Sequence, residues 1–285
     1  MSDATGFTIP KIELGDWIET GLDYLTTNYS SITRGISKFT ETGIDVLNDA
    51  LMWLPEWALI ALVTLLCWRL AGTRLAIGSV LGLGLIWNLD LWDPMIESLT
   101  LVVIATLVAV VIAVPLGILA ALSDRFYKVI MPVLDFMQTM PAFVYLIPAI
   151  PFFGIGSVSA IFATVIFSMP PAIRFTTLGI RQVPNDLIEA ADAFGAPRSQ
   201  KLFKLQLPLS LPTVMAGINQ TIMLALSMVV IAAMIGADGL GNEVWKAIQR
   251  LRPGDGFEAG IAVVILAMLL DRLTQTFSKE KKPRS

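Results

Sequence analysis

Histidine is absent from this 285-residue chain, and its single cysteine, Cys67, lies inside an apolar run. Without histidine there is no Ser-His-Asp or Cys-His pair, and a lone thiol rules out a disulfide framework and most transition-metal sites. No G-x-x-x-x-G-K-[ST] stretch occurs either, so the chain carries no phosphate-cradling loop. If ATP drives it, another subunit binds the ATP. No cluster of catalytic groups is visible, and no cofactor, metal or nucleic-acid partner is expected. The first fifteen residues show neither a basic n-region nor an apolar core, so the first membrane span is expected to do the targeting. Charge is scarce throughout: 15% of residues are Asp, Glu, Lys or Arg, against 55% that are apolar.

That imbalance is far from a soluble domain's, and several apolar runs reach the roughly 20 residues that a bilayer crossing needs. The expected fold is an all-α polytopic membrane protein of about seven transmembrane helices, at 56–72, 74–92, 97–122, 129–150, 156–175, 211–236 and 258–277. Trp53, Trp57, Trp87 and Trp92 fall near span ends, where indole rings favour the headgroup level. An amphipathic segment precedes the spans. Residues 1–55 hold three Lys/Arg against eight Asp/Glu. Leu14, Ile18, Leu22 and Leu25 share one helical face, and Ile32, Ile36, Phe39, Gly43, Val46, Ala50 and Leu54 share another. A helix lying on the bilayer surface fits this pattern, and its acidity places it away from the anionic cytoplasmic leaflet.

Basic charge orients the chain. Alternating spans that put loop 176–210 inside also put 69–74, 123–128 and the C-terminus inside. That arrangement gathers fourteen of the twenty Lys/Arg on one side, as the positive-inside rule expects. The N-terminus is then extracytoplasmic and the C-terminus cytoplasmic.

Within the spans, Ala105, Ala109, Ala113, Gly117 and Ala121 form a small-residue stripe, and Gly78 with Gly82 a shorter one; both read as packing seams. The fourth span is interrupted by Pro141, Pro148 and Pro151. An unpaired carboxylate is costly in hydrocarbon, so Asp135 must face protein, water or a cation. Two readings stand. Asp135, Gln138 and Thr139 line a pathway near its cytoplasmic end, or Asp135 caps a helix or pairs with Arg125 or Arg174. In the sixth span, Asn219 and Gln220 either face that pathway or join helices by hydrogen bonds.

Residues 186–208 form a polar, mixed-charge island between two apolar spans. Leu187, Ile188, Ala190, Ala191 and Phe194 give a short helix an apolar face, with Asn185 or Asp186 as N-cap and Gly195-Ala-Pro197 as its stop. A helix that short needs a partner surface. Glu189-Ala190-Ala191, Gly195, and Leu205-Gln206-Leu207-Pro208 resemble the EAA loop of bacterial ABC importer permeases, whose pattern is EAA, three residues, G, nine residues, I-x-L-P. Leu205 in place of Ile is the one departure. Further stretches resemble one branch of that family, the permeases for glycine betaine, proline betaine, choline and related osmoprotectants. These are residues 134–148 (Leu-Asp-Phe-Met-Gln-Thr-Met-Pro-Ala-Phe-Val-Tyr-Leu-Ile-Pro), Phe153-Gly-Ile-Gly156, Ala216-Gly-Ile-Asn-Gln-Thr221, Met228 to Gly236, Gly239-Leu-Gly241 and Gly256-Phe-Glu-Ala-Gly260.

The resemblance covers about residues 95–276 and implies a type I ABC importer permease fold. It divides the chain into an extracytoplasmic amphipathic helical tail (1–55), two accessory transmembrane helices (56–94), a permease core (95–277) with a cytoplasmic coupling loop (176–210), and a basic cytoplasmic tail (278–285). It implies a bacterial inner-membrane transport subunit that works as a homodimer with two cytoplasmic ATP-binding subunits and an extracytoplasmic substrate-binding protein. Glu189, Ala190, Ala191, Gly195, Leu205, Leu207 and Pro208 would meet the ATPase; on the pathway reading of the polar residues given above, and not from the resemblance, Asp135, Gln138, Thr139, Asn219 and Gln220 would line the path. In that family an aromatic cage on the binding protein selects the quaternary ammonium by cation–π attraction. Trimethylamine N-oxide and carnitine suit the chain as well as the betaines and choline. An ion-coupled secondary transporter or an osmotic channel are the competing readings. The first would account for Asp135 and the broken fourth span, and the second for the small-residue stripe; neither explains the 186–208 helix.

Overall fold

All regular structure in the described residues is helical, as the apolar runs predict. The computed structural model describes residues 13–278; the first twelve residues and the basic segment 279–285 lie outside them. Helices α1 (Leu14–Asn28) and α2 (Ser30–Met52) precede a hairpin of α3 (Glu56–Ala71) and α4 (Thr73–Asn88), joined at Gly72. The long helix α5 (Trp92–Leu122) leads through Ser123 into α6 (Asp124–Thr139) and, after a 3-10 turn at Ala142–Tyr145, α7 (Leu146–Phe153). Then come α8 (Ser157–Arg181), α9 (Asn185–Ala193), the short turn α10 (Arg198–Gln200), a π-helical stretch at Lys201–Gln206, and α11 (Leu207–Ala232). The amphipathic α12 (Leu240–Gln249) and α13 (Pro253–Ser278) close the chain.

Among the described residues, three helices are long and apolar enough to cross a membrane: α5, α8 and the continuous segment Arg198–Ile235. Counting each of two bent helix pairs as one span gives up to five. Helices α2 and α3 meet at 95°, and α6 meets the α7 segment at 111°. Proline makes both corners. Pro55 and Pro141 each begin a new helix, and Met140, held extended at φ −72°, ψ 135°, shows the bias that a following proline imposes. The fourth expected span is therefore two helices set across each other. The tyrosine hydroxyl of Tyr145 donates to the Met137 carbonyl across the break. The two accessory spans are shorter than expected: α3 and α4 have 16 residues each, about 24 Å at 1.5 Å per residue. The 237–257 loop contains a helix of its own, α12.

The small-residue stripe of α5 is the seam on which the bundle is built. Ala105, Ala109 and Ala113 have no exposed surface, and a Cβ on Gly117 would sit 2.6 Å from Thr176 Cβ and 2.8 Å from the Ile173 carbonyl of α8. Thr177 Oγ1 donates to the Gly117 carbonyl at 3.0 Å through this close approach. Of the shorter stripe, Gly82 meets Ile265 of α13 and Gly78 meets nothing. Helix α2 runs beside this bundle with Ile44 and Leu51 against the core. Ile32, Ile36, Phe39 and Val46, all placed on one face by the sequence, remain exposed.

Candidate functional site

Two regions collect the polar residues singled out by the sequence. The first is the loop after α8. Val183 and Leu202 are buried at its two ends, and no residue between them is. Helix α9 carries Glu189, Ala190 and Ala191 across this span. Its N-terminus differs from expectation: Pro184 occupies the cap, Asn185 is already helical, and no side chain caps the helix. Proline's fixed φ suits a helix entrance, and its carbonyl accepts from Leu187 N at 3.1 Å.

The C-terminus is as the spacing predicts. Gly195 has φ +72°; its N–H donates to the Asp192 carbonyl at 2.9 Å, and Ala196 N–H reaches back to the Ala191 carbonyl at 2.9 Å. This pair of bonds is the Schellman closure, which needs a left-handed residue at its centre. The physical reason for a glycine at a fixed offset from the Glu-Ala-Ala triplet is thus on view. An ion pair from Lys201 to Asp192 folds the π-helical stretch back towards α9. Leu205 and Leu207 are half-buried and Pro208 is exposed where that stretch enters α11. The apolar face of α9 is only partly covered: Ile188 and Ala191 are half-buried, while Leu187 is 42% exposed and Phe194 93%.

The root of this loop is tied to the bundle by one side chain. Arg181, at the last turn of α8, bonds Asp124 Oδ1 at 2.7 Å and the Ala120 carbonyl at 3.0 Å. Its guanidinium also lies 4.2 Å over the Tyr127 ring. One side chain so ties the end of α8 to the α5–α6 corner.

The second region is a cavity of about 310 Å³ lined by Gln138 of α6, Phe167, Pro171, Arg174 and Phe175 of α8, and Gln220 and Leu224 of α11. Asp135 pairs with Arg174 at its edge, which is one of the two readings the sequence left open. The buried Arg174 Nε has no hydrogen-bond partner among the described residues. The remaining expected path residues sit elsewhere. Thr139 Oγ1 bonds its own helix at the Phe136 carbonyl. Asn219 turns to α13, donating to Asp271 Oδ1 at 2.8 Å and accepting from Thr274 at 2.6 Å. In the sequence Arg174 reads as an inner-surface charge and a partner for Asp135, while Phe167 and Phe175 carry no mark of a shared cavity beyond their recurrence on one face of α8.

Comparison with known proteins bears on both regions. Residues 113–279, which include both the loop and the cavity, match the family described as "Binding-protein-dependent transport system inner membrane component". The glycine betaine transport system permease protein OpuAB of Bacillus subtilis is 48% identical over 276 residues, 97% of this chain and 98% of that protein. The glycine betaine/carnitine transport permease protein GbuB of Listeria monocytogenes is 52% identical over 282 residues, 96% of this chain and 98% of that one. Among solved structures, an inward-facing conformation of the MetNI methionine ABC transporter has a TM-score of 0.60 at 22% identity. It covers 64% of this chain and 91% of that one, a likeness of fold.

Proposed function

This chain belongs to the binding-protein-dependent transport system inner membrane components, and on that premise we propose that it conducts a betaine-type or quaternary ammonium solute driven by ATP hydrolysed on a partner. It is a permease subunit of an ABC importer, a multi-pass inner-membrane protein with the type I permease fold. The competing secondary-transporter and channel readings are set aside with that membership. The solute class comprises glycine betaine, proline betaine, choline, carnitine and trimethylamine N-oxide. Relatives named for glycine betaine over nearly the full length support the first of these.

The observation that carries the coupling reading is α9: a helix bearing Glu189-Ala190-Ala191, closed by a left-handed Gly195, with no residue buried against its own bundle. A nine-residue helix with a partly open apolar face is incomplete without a partner. The partner is the cytoplasmic ATP-binding subunit, present in two copies, which grips Glu189, Ala190, Ala191 and Gly195 while Leu205, Leu207 and Pro208 pass the motion into α11. A second copy of the permease and an extracytoplasmic binding protein complete the assembly. The N-terminus is extracytoplasmic and the C-terminus cytoplasmic.

The translocation path runs by the cavity between α6, α8 and α11. Gln138, Gln220 and the Arg174 guanidinium offer amides and a cation to a solute carboxylate. Phe167 and Phe175 offer ring faces to a trimethylammonium group. Asp135 holds Arg174 until the solute or the moving helices displace it. The test is ATP-dependent uptake of glycine betaine into proteoliposomes holding the chain, its ATPase and its binding protein. Gln138→Leu with Gln220→Leu should cut uptake at least about tenfold, a loss of about 1.4 kcal/mol of differential interaction, with assembly intact. Uptake that survives this pair takes the path away from the cavity.

A further inference from the structure

The cavity between α6, α8 and α11 carries a full charge of one sign only. Arg174 lines it with the amides of Gln138 and Gln220, the remaining lining residues are apolar, and no aspartate or glutamate is among them. Phe167, Pro171 and Arg174 stand at i, i+4 and i+7, so ring and guanidinium share one face of α8. The Phe167 ring is held edge-on by Tyr145, with 5.6 Å between centroids. The Arg174 side chain is 32% exposed, and Asp135 is its one ion-pair or hydrogen-bond partner among the described residues. Asp135 bonds it through Oδ1 and is itself 67% exposed. A guanidinium presents its donors in a planar fork that a carboxylate can take two at a time, so this one is engaged below its capacity.

We infer that Arg174 makes the permease itself selective for solutes that carry a carboxylate, with Asp135 as an internal carboxylate that occupies the arginine when no solute is there. The inference rests on the translocation path proposed above and narrows its solute class to the carboxylate-bearing members: glycine betaine, proline betaine and carnitine. It adds a selection inside the membrane to the one made by the binding protein. A solute with both a trimethylammonium group and a carboxylate brings its own counter-charge to Arg174. Choline brings only a second positive charge, and the wall holds no carboxylate to balance it; like charges repel more strongly there than in water, because the surroundings are less polarisable. Exchanging one carboxylate for another leaves the charges around Arg174 in number as they were, so opening the pair strands no cation. The bond to the largely exposed Asp135 is weak enough to be replaced. When the solute leaves, Asp135 returns and clears the site. A cavity of about 310 Å³ lies at the small end of ligand sites, about 300–1,000 Å³, as a solute of this size requires.

The test keeps the binding protein out, so that only the cavity discriminates. In a Cys67→Ser background, Leu224→Cys places a thiol on the cavity wall. Its modification by methyl methanethiosulfonate is timed in nanodiscs that hold the permease with its ATPase. Glycine betaine should slow the reaction saturably, and so should tert-butylacetate, which keeps the carboxylate and has carbon in place of the ammonium nitrogen. Choline and tetramethylammonium should do no more than sucrose at the same osmolality. Arg174→Gln should raise the half-protecting concentration of both carboxylates at least about tenfold, the loss of hydrogen bonding to a charged group, while an unchanged rate without solute reports a formed cavity. Arg174→Lys, which keeps the charge and loses the fork, should fall between. Asp135→Asn removes the internal competitor and should lower that concentration by up to about fivefold, as for an exposed pair; a misfolded protein cannot bind better. Equal protection by choline and glycine betaine, undiminished protection in Arg174→Gln, or weaker protection in Asp135→Asn would overturn the inference and leave the path in place. No protection by any solute would remove inference and path together.

Discussion

Replacing Gly195 by alanine tests whether the loop works as a terminated helix. The backbone there has φ +72°, a conformation that costs an L-residue with a Cβ about 1–2 kcal/mol. That is a factor of about 5–30 in any equilibrium it controls. Helix α9 has nine residues and none buried, below the roughly 12–15 at which isolated helices become even marginal. Its closure therefore rests on the two backbone bonds through Gly195 and Ala196. If the ATPase captures only the closed form, its apparent affinity falls with the population of that form, about 5- to 30-fold for alanine. Asparagine tolerates the left-handed region and should lose less, whereas valine should lose more. The bundle should be indifferent, since no residue between Val183 and Leu202 is buried. The assay is equilibrium capture of the ATPase by nanodisc-embedded permease, with the thermal midpoint measured in parallel. Wild-type affinity in the alanine variant, or a lowered midpoint with unchanged capture, would refute the reasoning.

Gly117→Val should destabilise the bundle by about 1–3 kcal/mol, because a Cβ there meets Thr176 and Ile173 at under 3 Å and well-packed seams do not absorb extra carbons. Gly78→Ala, with nothing within 4 Å, should leave the melting midpoint in place. Asn219→Ala removes bonds to Asp271 and Thr274 and should lower stability by about 1 kcal/mol, within the range of interhelical hydrogen bonds in membranes; uptake per folded molecule should be retained. Asp135→Asn should impair uptake more than folding, since the Asp135 side chain of its ion pair is 67% exposed and such pairs contribute little to stability. In a Cys67→Ser background, a cysteine at position 20 should react with a membrane-impermeant maleimide in intact cells, and one at position 199 should react only after lysis.

The sequence made the helices legible because apolar runs and small-residue stripes depend on local composition alone. The end of α9 was legible for a stronger reason: a left-handed stop at Gly195 is a chemical demand that leaves glycine at a fixed offset, whereas a coupling role for the loop is implied by the resemblance alone. The path residues were not, and Asn219 with Gln220 shows why. Neighbours on a helix point about 100° apart, so one reaches α13 and the other the cavity, and only the packing decides which. Arg174 reads as an inner-surface charge because the orientation of spans depends on which side gathers Lys and Arg. Pro141 announced the break in the fourth span, but the 111° angle follows from how α6 and α7 pack. Pro55 gives a similar signal, but between Trp53 and Trp57 it reads as the headgroup end of a span. The cavity joins residues 138, 174 and 220, separations that no local pattern spans.

In our proposal the ATPase holds this permease at the α9 loop. Co-expression of the tagged chain with its ATPase, followed by affinity capture, tests it most directly, comparing wild type with Glu189→Lys plus Gly195→Asp. Stoichiometric ATPase is expected with the wild type and its loss from the variant, while both show the same thermal midpoint. Equal recovery from both proteins would contradict it.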